Sequence, residues 1–240
     1  MRNLLVDIGN SSVKAAFANG FKLDEVLRYE GEDVVSFIAG IVEKEQPYSI
    51  VISSVRKNRG ALRDNLMHLC HNILVVGENV VLPVDIDYSP FGSAGADRIA
   101  ATLGAGALFP GEKCLIFDFG TALTIDFKDE AGNFKGGNIS PGVMTRFKAL
   151  NLFTDRLPLL SVPENISEIG KTTASAIENG IILGMINEVE GYIRKYPDYI
   201  IIFTGGDSNY FAIKLKSPIF VVYNLVLTGL ARIAENNVQE

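Results

Sequence analysis

The sequence predicts an α/β protein built from two copies of one fold, and three observations carry that prediction. Short apolar runs alternate with longer stretches whose apolar residues recur at helical spacing. The run Leu4-Leu5-Val6-Asp7-Ile8-Gly9-Asn10 returns as Leu115-Ile116-Phe117-Asp118-Phe119-Gly120-Thr121, and a second strand pattern follows each copy. Asp118 lies 111 positions beyond Asp7, which is the length of a domain and far longer than a solenoid repeat. The boundary falls near Pro110-Gly111, giving an N-terminal domain over 1–111 and a C-terminal domain over 112–240.

The elements follow in order. Leu4–Asp7 is a short apolar strand. Val13–Ala18 and Leu23–Tyr29 are strands joined through Asn19-Gly20, a strong hairpin-turn pair. Val34–Glu43 is a helix by spacing, Ile50–Ser53 a strand, Leu62–Leu69 a helix and Ile73–Val76 a strand. Gly95 opens a helix that runs through Leu108. In the second half, Leu115–Asp118 and Leu123–Phe127 form a hairpin, with Phe134–Ile139 as a third strand. Thr172–Tyr196 is a long amphipathic helix whose start is marked by threonines. Tyr199–Thr204 is a strand, Tyr210–Leu215 a helix, and Asn224–Ala234 a closing helix capped by Asn224.

Composition narrows the function classes. The 240 residues are 48 % hydrophobic and 21 % charged, which fits a globular chain and argues against disorder. Net charge is −6 with no block of Lys or Arg, so a nucleic-acid partner is not expected. Cys70 and Cys114 have no paired spacing, which fits a reducing compartment. The first apolar run stops at Asp7, too short for a secretory signal, and no run of about 18 apolar residues occurs. A cytoplasmic protein without a membrane partner is the expectation.

Three glycine loops carry the candidate chemistry. In Asp7-Ile-Gly9-Asn10-Ser11-Ser12-Val-Lys14, a buried strand ends at a carboxylate and turns at a glycine. Such a turn brings backbone close to a phosphate, Ser11 and Ser12 add hydroxyls, and Lys14 adds a positive charge. An aspartate in that position suits a hydrated Mg²⁺. Alone, the stretch reads equally well as a polar hairpin turn. The second copy changes the balance, with Asp118, Gly120, Thr121 and Thr124 able to hold the same nucleotide. Thr204-Gly205-Gly206-Asp207 follows a strand and precedes a helix. It is either a flat backbone platform for adenine or a plain turn.

Other stretches are weighed in the same way. Gly95-Ala96-Asp97-Arg98 opens a helix, where an acid is often only a dipole partner. Asp97 and Arg98 are nevertheless candidates for general base and anion clamp, with Tyr88 upstream as a pocket wall. Gly136-Gly-Asn-Ile-Ser-Pro-Gly142 either approaches a ligand or turns a strand into the next helix. Gly170-Lys-Thr-Thr173 resembles the tail of a P-loop. A Walker A loop needs a second glycine five residues earlier, where Asn165 stands. His68 and His71 on one helix lack a third ligand for a metal.

Taken together and in order, Asp7-Ile-Gly-Asn, Gly95-Ala-Asp97-Arg98, Asp118-Phe-Gly-Thr-Ala, Gly-Gly-Asn-Ile-Ser-Pro-Gly142, Gly170-Lys-Thr-Thr173 and Thr204-Gly-Gly resemble the type III pantothenate kinases over nearly the whole chain. The resemblance implies two duplicated RNase H-like domains of the actin-like ATPase kind with a central cleft. It implies ATP-dependent phosphorylation of pantothenate to 4'-phosphopantothenate, the first step of coenzyme A biosynthesis. Asp97 is then the catalytic base. Asp7, Gly9, Asn10, Ser11, Ser12 and Lys14 form the first phosphate loop, with Asp7 organising Mg²⁺. Gly120 and Thr121 contact ATP, and Gly205 and Gly206 hold its adenosine. Asp118 serves a monovalent cation, K⁺ or NH₄⁺. Tyr88, Gly95, Ala96, Asp97, Arg98 and Thr173 contact pantothenate, and the chain is a homodimer with the pantothenate pocket near the subunit interface. One departure stands out: the family has Asn-Thr-Asn after the first glycine, and here Asn10-Ser11-Ser12 keeps a hydroxyl at Ser11 and lacks an amide at Ser12.

Two other readings share the same fold. One is a kinase for another small hydroxylated substrate, which a panel of acceptors separates. The other is a non-catalytic regulatory or accessory protein, against which the intact Asp7, Asp97 and Asp118 argue.

Overall fold

The computed structural model describes residues 2–56, 59–90 and 93–237, with side chains left aside at 59–61. Two sheets organise the chain. The first is ordered β3-β2-β1-β5-β6, and β4 also pairs with β2. Its strands are β1 (Asn3–Ile8), β2 (Val13–Asn19), β3 (Lys22–Leu23), β4 (Leu27–Tyr29), β5 (Ser49–Ser54) and β6 (Ile73–Val75). The second is ordered β11-β10-β7-β8-β9. It comprises β7 (Cys114–Phe119), β8 (Ala122–Lys128), β9 (Phe134–Pro141), β10 (Ile200–Gly205) and β11 (Phe220–Val221). In each sheet a hairpin supplies the central strand, and two later strands add parallel to it on its far side. The internal repeat is therefore a repeat of topology. β1 and β7 even share one burial pattern, buried throughout except at the fifth position, which is Asp7 in one and Asp118 in the other.

Seven helices connect and cover these strands among the described residues. They are α1 (Val34–Glu45), α2 (Arg59–Leu66), α3 (Ala96–Leu108), α4 (Val143–Leu152), α5 (Thr173–Lys195), α6 (Ser208–Ala212) and α7 (Leu225–Asn237). The chain divides into two compact units. One comprises 1–112, 127–136 and 224–240, and the other 113–126 and 137–223.

In the first unit the two faces of β1 have different neighbours. Leu4, Val6 and Ile8 share a core with Val34, Ile38 and Val42 of α1 and Leu66 of α2. Strand alternation turns Asn3, Leu5 and Asp7 to the opposite face, the side on which α7 packs against β1 and β5 and α3 against β5. α3 and α7 cross at very short range. A Cβ added at Gly229 would collide with the Ala100 carbonyl, and one added at Gly104 with that of Leu225. At the far end of α3, Lys128 is 1 % exposed and its ammonium donates to the carbonyl oxygens of Phe109, Glu112 and Asp129. Three acceptors at a helix C-terminus satisfy both the charge and the loose carbonyls.

In the second unit, Phe117, Phe119, Phe203 and Phe211 stack through β7, β10 and α6. α5 starts with a capping box: Thr172 accepts from the Ser175 N–H, and the Ser175 hydroxyl accepts from that of Thr172.

Several expected elements shift. The stretch Leu23–Tyr29 is two short strands on β2 rather than one, and at the break Asp24 pairs with Arg2. α2 runs three residues earlier than its apolar spacing predicts, ending in a turn closed by Leu69 and Cys70 on the Leu66 carbonyl. α6 forms at 208–212 rather than over Tyr210–Leu215, because the Ser208 hydroxyl ties back to Gly205. α4 answers one of the two readings of the 136–142 stretch, which gave it no bounds, and β11 was not expected.

Candidate active site

The first loop begins where β1 runs out. Gly9 donates its N–H to the Ser12 carbonyl at 3.0 Å, and this closes the turn from β1 into β2. That amide is therefore engaged and is not among the donors left for a phosphate. Arg56, just past β5, donates from Nε to the Gly9 carbonyl at 3.1 Å and pins the loop from the side.

Asp7 lies in a row across three strands. It stands opposite Lys14 of β2 and opposite Ser53 of β5. Cross-strand partners point to the same face, so a cation and a hydroxyl flank the carboxylate. Burial lifts the Asp7 carboxyl to about 6, the Asp97 carboxylate adds to that rise, and Lys14 and Ser53 oppose it. Asp97 reaches this place from the first turn of α3, where its Oδ1 accepts the Arg98 N–H at 2.9 Å. The expected base and the first phosphate loop thus share one neighbourhood in the first unit.

The predicted substrate wall assembles beside it. Arg98 is 5 % exposed, and its guanidinium lies 5.4 Å from the ring centres of both Tyr88 and Phe134. It also donates to the Tyr88 hydroxyl at 3.4 Å. The segment carrying Tyr88 is held in place by β9: Asp87 N–H donates to the Phe134 carbonyl, and Phe134 N–H to that of Asp85. Gly95 and Ala96 lead into α3 directly beneath Asp97.

The second and third loops lie in the second unit and touch each other. Gly205 adopts φ +91°, and a Cβ there would collide with Asp118 Oδ1 and the Phe119 backbone, so glycine is required on both counts. The strand register sets this contact, with Thr204 opposite Asp118 and Gly205 opposite Phe119. Thr121 is braced from α4: its carbonyl accepts from the Gly142 N–H at 3.0 Å and the Thr145 hydroxyl at 2.6 Å. Gly120 donates to the Ala122 carbonyl. Gly206 leads into α6, whose preceding residue Asp207 makes no side-chain cap and is pushed upward in pKa by burial.

Some expectations change. Thr124 donates its hydroxyl to Asp126 at 3.2 Å and stands engaged within β8. The glycine-rich stretch 136–142 is the end of β9 turning into α4. It is fastened to α5 through Asn138 on Tyr192 and Ser140 on Glu188. Thr173 is the first residue of α5 and lines an apolar cavity of about 840 Å³ with Ala149, Leu150, Phe153, Ile177 and Ile181.

Sequence reasoning missed Ser53 and Arg56. Ser53 ends the expected strand Ile50–Ser53 and Arg56 lies just beyond it; the available signal was a polar residue closing the strand next in line to that of Asp7.

Comparison with known proteins now bears on the site. Residues 3–195 match the family model of type III pantothenate kinase. The chain belongs to the type III pantothenate kinase family. A relative of that name from Cytophaga hutchinsonii is 39 % identical, covering 98 % of this chain and all of its own length. Another, from Phocaeicola vulgatus, is also 39 % identical over 98 % of each chain. Among solved structures, the activator of the 2-hydroxyisocaproyl-CoA dehydratase from Clostridium difficile, with bound ADPNP, superposes with a TM-score of 0.58 at 13 % identity. It covers 100 % of this chain and 99 % of its own. A ROK hexokinase from Thermus thermophilus has a TM-score of 0.52 at 13 % identity over the full length of both chains. These two likenesses concern the fold, and they agree with two RNase H-like domains in this kinase family member.

Proposed function

We propose that this chain transfers the terminal phosphoryl group of ATP to the terminal hydroxyl of pantothenate. The observation that carries the reading is the meeting of Asp97 with Asp7 and Lys14 at the first loop, beside the Arg98–Tyr88 wall. Family membership and the names of the relatives support the same substrate.

Each residue then has a chemical task. Asp97 accepts the proton of the attacking hydroxyl as the new O–P bond forms and the bond to the β-phosphate oxygen breaks. Arg98 and Tyr88 orient the acceptor; a guanidinium held between two rings suits the carboxylate of pantothenate. The first loop, Asp7 through Lys14, and Gly120 with Thr121 serve the phosphates, and Gly205 and Gly206 serve adenosine. Thr173, in the second unit, is a further contact for pantothenate.

The residues also fit the ions expected of the reaction. Among the described residues no three His, Cys, Asp or Glu side chains gather into a metal cage. Mg²⁺ in such sites takes one or two carboxylates and otherwise phosphate and water oxygens, and the mutually repelling Asp7 and Asp97 suit that role. Mg²⁺ supplies charge neutralisation on the phosphates when bound. Asp118, pressed against Gly205, is the carboxylate for K⁺ or NH₄⁺.

Asp97→Asn tests the reading. Turnover should fall by about a hundredfold or more while ATP affinity stays within a few-fold. Pantothenate-dependent ADP release at close to the parent rate removes Asp97 from the role. Absence of such release in the parent chain removes pantothenate as the acceptor.

A homodimer is part of the proposal. Phe153, 81 % exposed, lines the apolar cavity that Thr173 lines, and Leu152, 75 % exposed, precedes it in the chain. Large exposed apolar side chains clustered at a cavity are characteristic of an interaction face, and a second copy of this chain is its occupant.

A further inference from the structure

β5 carries three buried serines, Ser49, Ser53 and Ser54. Two have partners. Ser49 donates its hydroxyl to Asn3 Oδ1 at 2.8 Å, and the Ser54 hydroxyl accepts the Arg56 N–H at 3.2 Å. Ser53 is fully buried, and its hydroxyl has no hydrogen-bond partner among the described residues. Buried hydroxyls are nearly always bonded, so an orphan calls for a reason.

Register supplies one. Asn3–Ser49 and Asp7–Ser53 are two rungs of the same β1–β5 ladder, four residues apart and therefore on the same face. The lower rung makes its side-chain bond. In the upper rung, at the end where the loop opens, the Ser53 hydroxyl acts on the Asp7 carboxylate without a fully formed hydrogen bond to it. Ser53 nevertheless acts as a hydroxyl donor does, holding the Asp7 pKa down against burial, so the two side chains stand together on one rung.

We propose that Ser53 is a positioning residue for phosphoryl transfer: its hydroxyl donates to the Asp7 carboxylate in the working rotamer and fixes that carboxylate toward the phosphate side of the site. Lys14 holds the carboxylate from β2, and Ser53 holds it from β5. The orphan hydroxyl is kept for this task at the expense of resting stability. The inference rests on the reading that Asp7 serves the phosphates.

Ser53→Ala tests it, with Asp7→Asn run beside it. Removing an orphan hydroxyl costs a folded chain nothing, so the unfolding midpoint of Ser53→Ala without ligand should equal or exceed that of the parent. Binding of MgADP, read by calorimetry and by the rise in midpoint on adding it, should weaken by about tenfold, the worth of a hydrogen bond to a charged group. KM for pantothenate should stay put, and Ser53→Cys, which keeps a weak donor of similar size, should recover part of the loss. A hydroxyl with only a packing role gives a lower midpoint and parent-like MgADP binding, and that pair of results overturns the proposal. If Asp7→Asn binds MgADP and turns over like the parent, the reading of Asp7 itself is wrong. If Asp7→Asn fails while Ser53→Ala binds normally, only the Ser53 assignment is wrong.

Discussion

Burial and the neighbouring Asp97 lift the Asp7 carboxyl to about 6, and the sign of that shift sets a stability profile. Below the ordinary aspartate value of about 3.9 the group is protonated in folded and unfolded chains alike and costs nothing. Between that value and about 6 the unfolded chain ionises the group while the folded chain still holds its proton. Stability is lost across that window, with a penalty on the order of 3 kcal/mol at neutral pH. Asp7→Asn should therefore raise the urea midpoint at neutral pH, the gain should vanish near pH 4 or about there, and activity should be lost. A variant equally unstable at both pH values would show that Asp7 is not strained by its surroundings. The aspartates were legible in the sequence because an acid ending an apolar strand has few packing reasons to be there, and the repeat at Asp118 doubled the signal. Ser53 was not legible. Its meaning comes from register with a strand 46 residues away, and a serine at a strand end carries no signal by itself.

The elements that position Asp97 depend on how closely two helices approach. α3 and α7 meet at Gly104 and Gly229, where any side chain would enter the backbone of the partner helix. Gly229→Ala should lower stability by about 1–3 kcal/mol, as overpacked sites do. Gly40→Ala is the contrasting change: it lies in α1 with nothing within 4 Å of the added Cβ, so helix propensity alone acts and stability should rise by up to about 1 kcal/mol. Denaturant titration of both variants checks the pair, and a neutral Gly229→Ala would mean that the crossing can slide. Most elements were legible from periodicity; α3 was placed within a residue at both ends. α4 was hidden behind a glycine-rich approach and buries only Val143 and Phe147, so its apolar stripe is thin. β11 has two residues and exists because β10 offers it an edge. The pairing of α3 with α7 could not be read at all, since more than a hundred residues separate the two glycines and neither lies in a recognisable motif.

At the scale of the molecule, the two sheets repeat one strand order, and the repeat in sequence announced it. What the sequence left unsaid was where large apolar side chains remain outside. Among the described residues Phe153 is the most exposed of them, at the rim of the cavity lined by Thr173. Phe153→Glu should shift the protein from dimer to monomer in sedimentation equilibrium and raise KM for pantothenate more than KM for ATP. A parent chain that sediments as a monomer at micromolar concentration would end the dimer proposal.

The path of α7 has a further consequence. The chain builds most of its first unit by Glu112, leaves it, and comes back with Asn224–Glu240 to lay α7 against β1, β5 and α3. During translation that unit therefore waits. The apolar side chains of β1 and β5 that α7 covers have emerged from the ribosome long before their cover is synthesised. Newborn chains must keep that face away from one another, or in the care of a chaperone, until the last helix arrives. Deleting α7 would then damage the end of the chain made first.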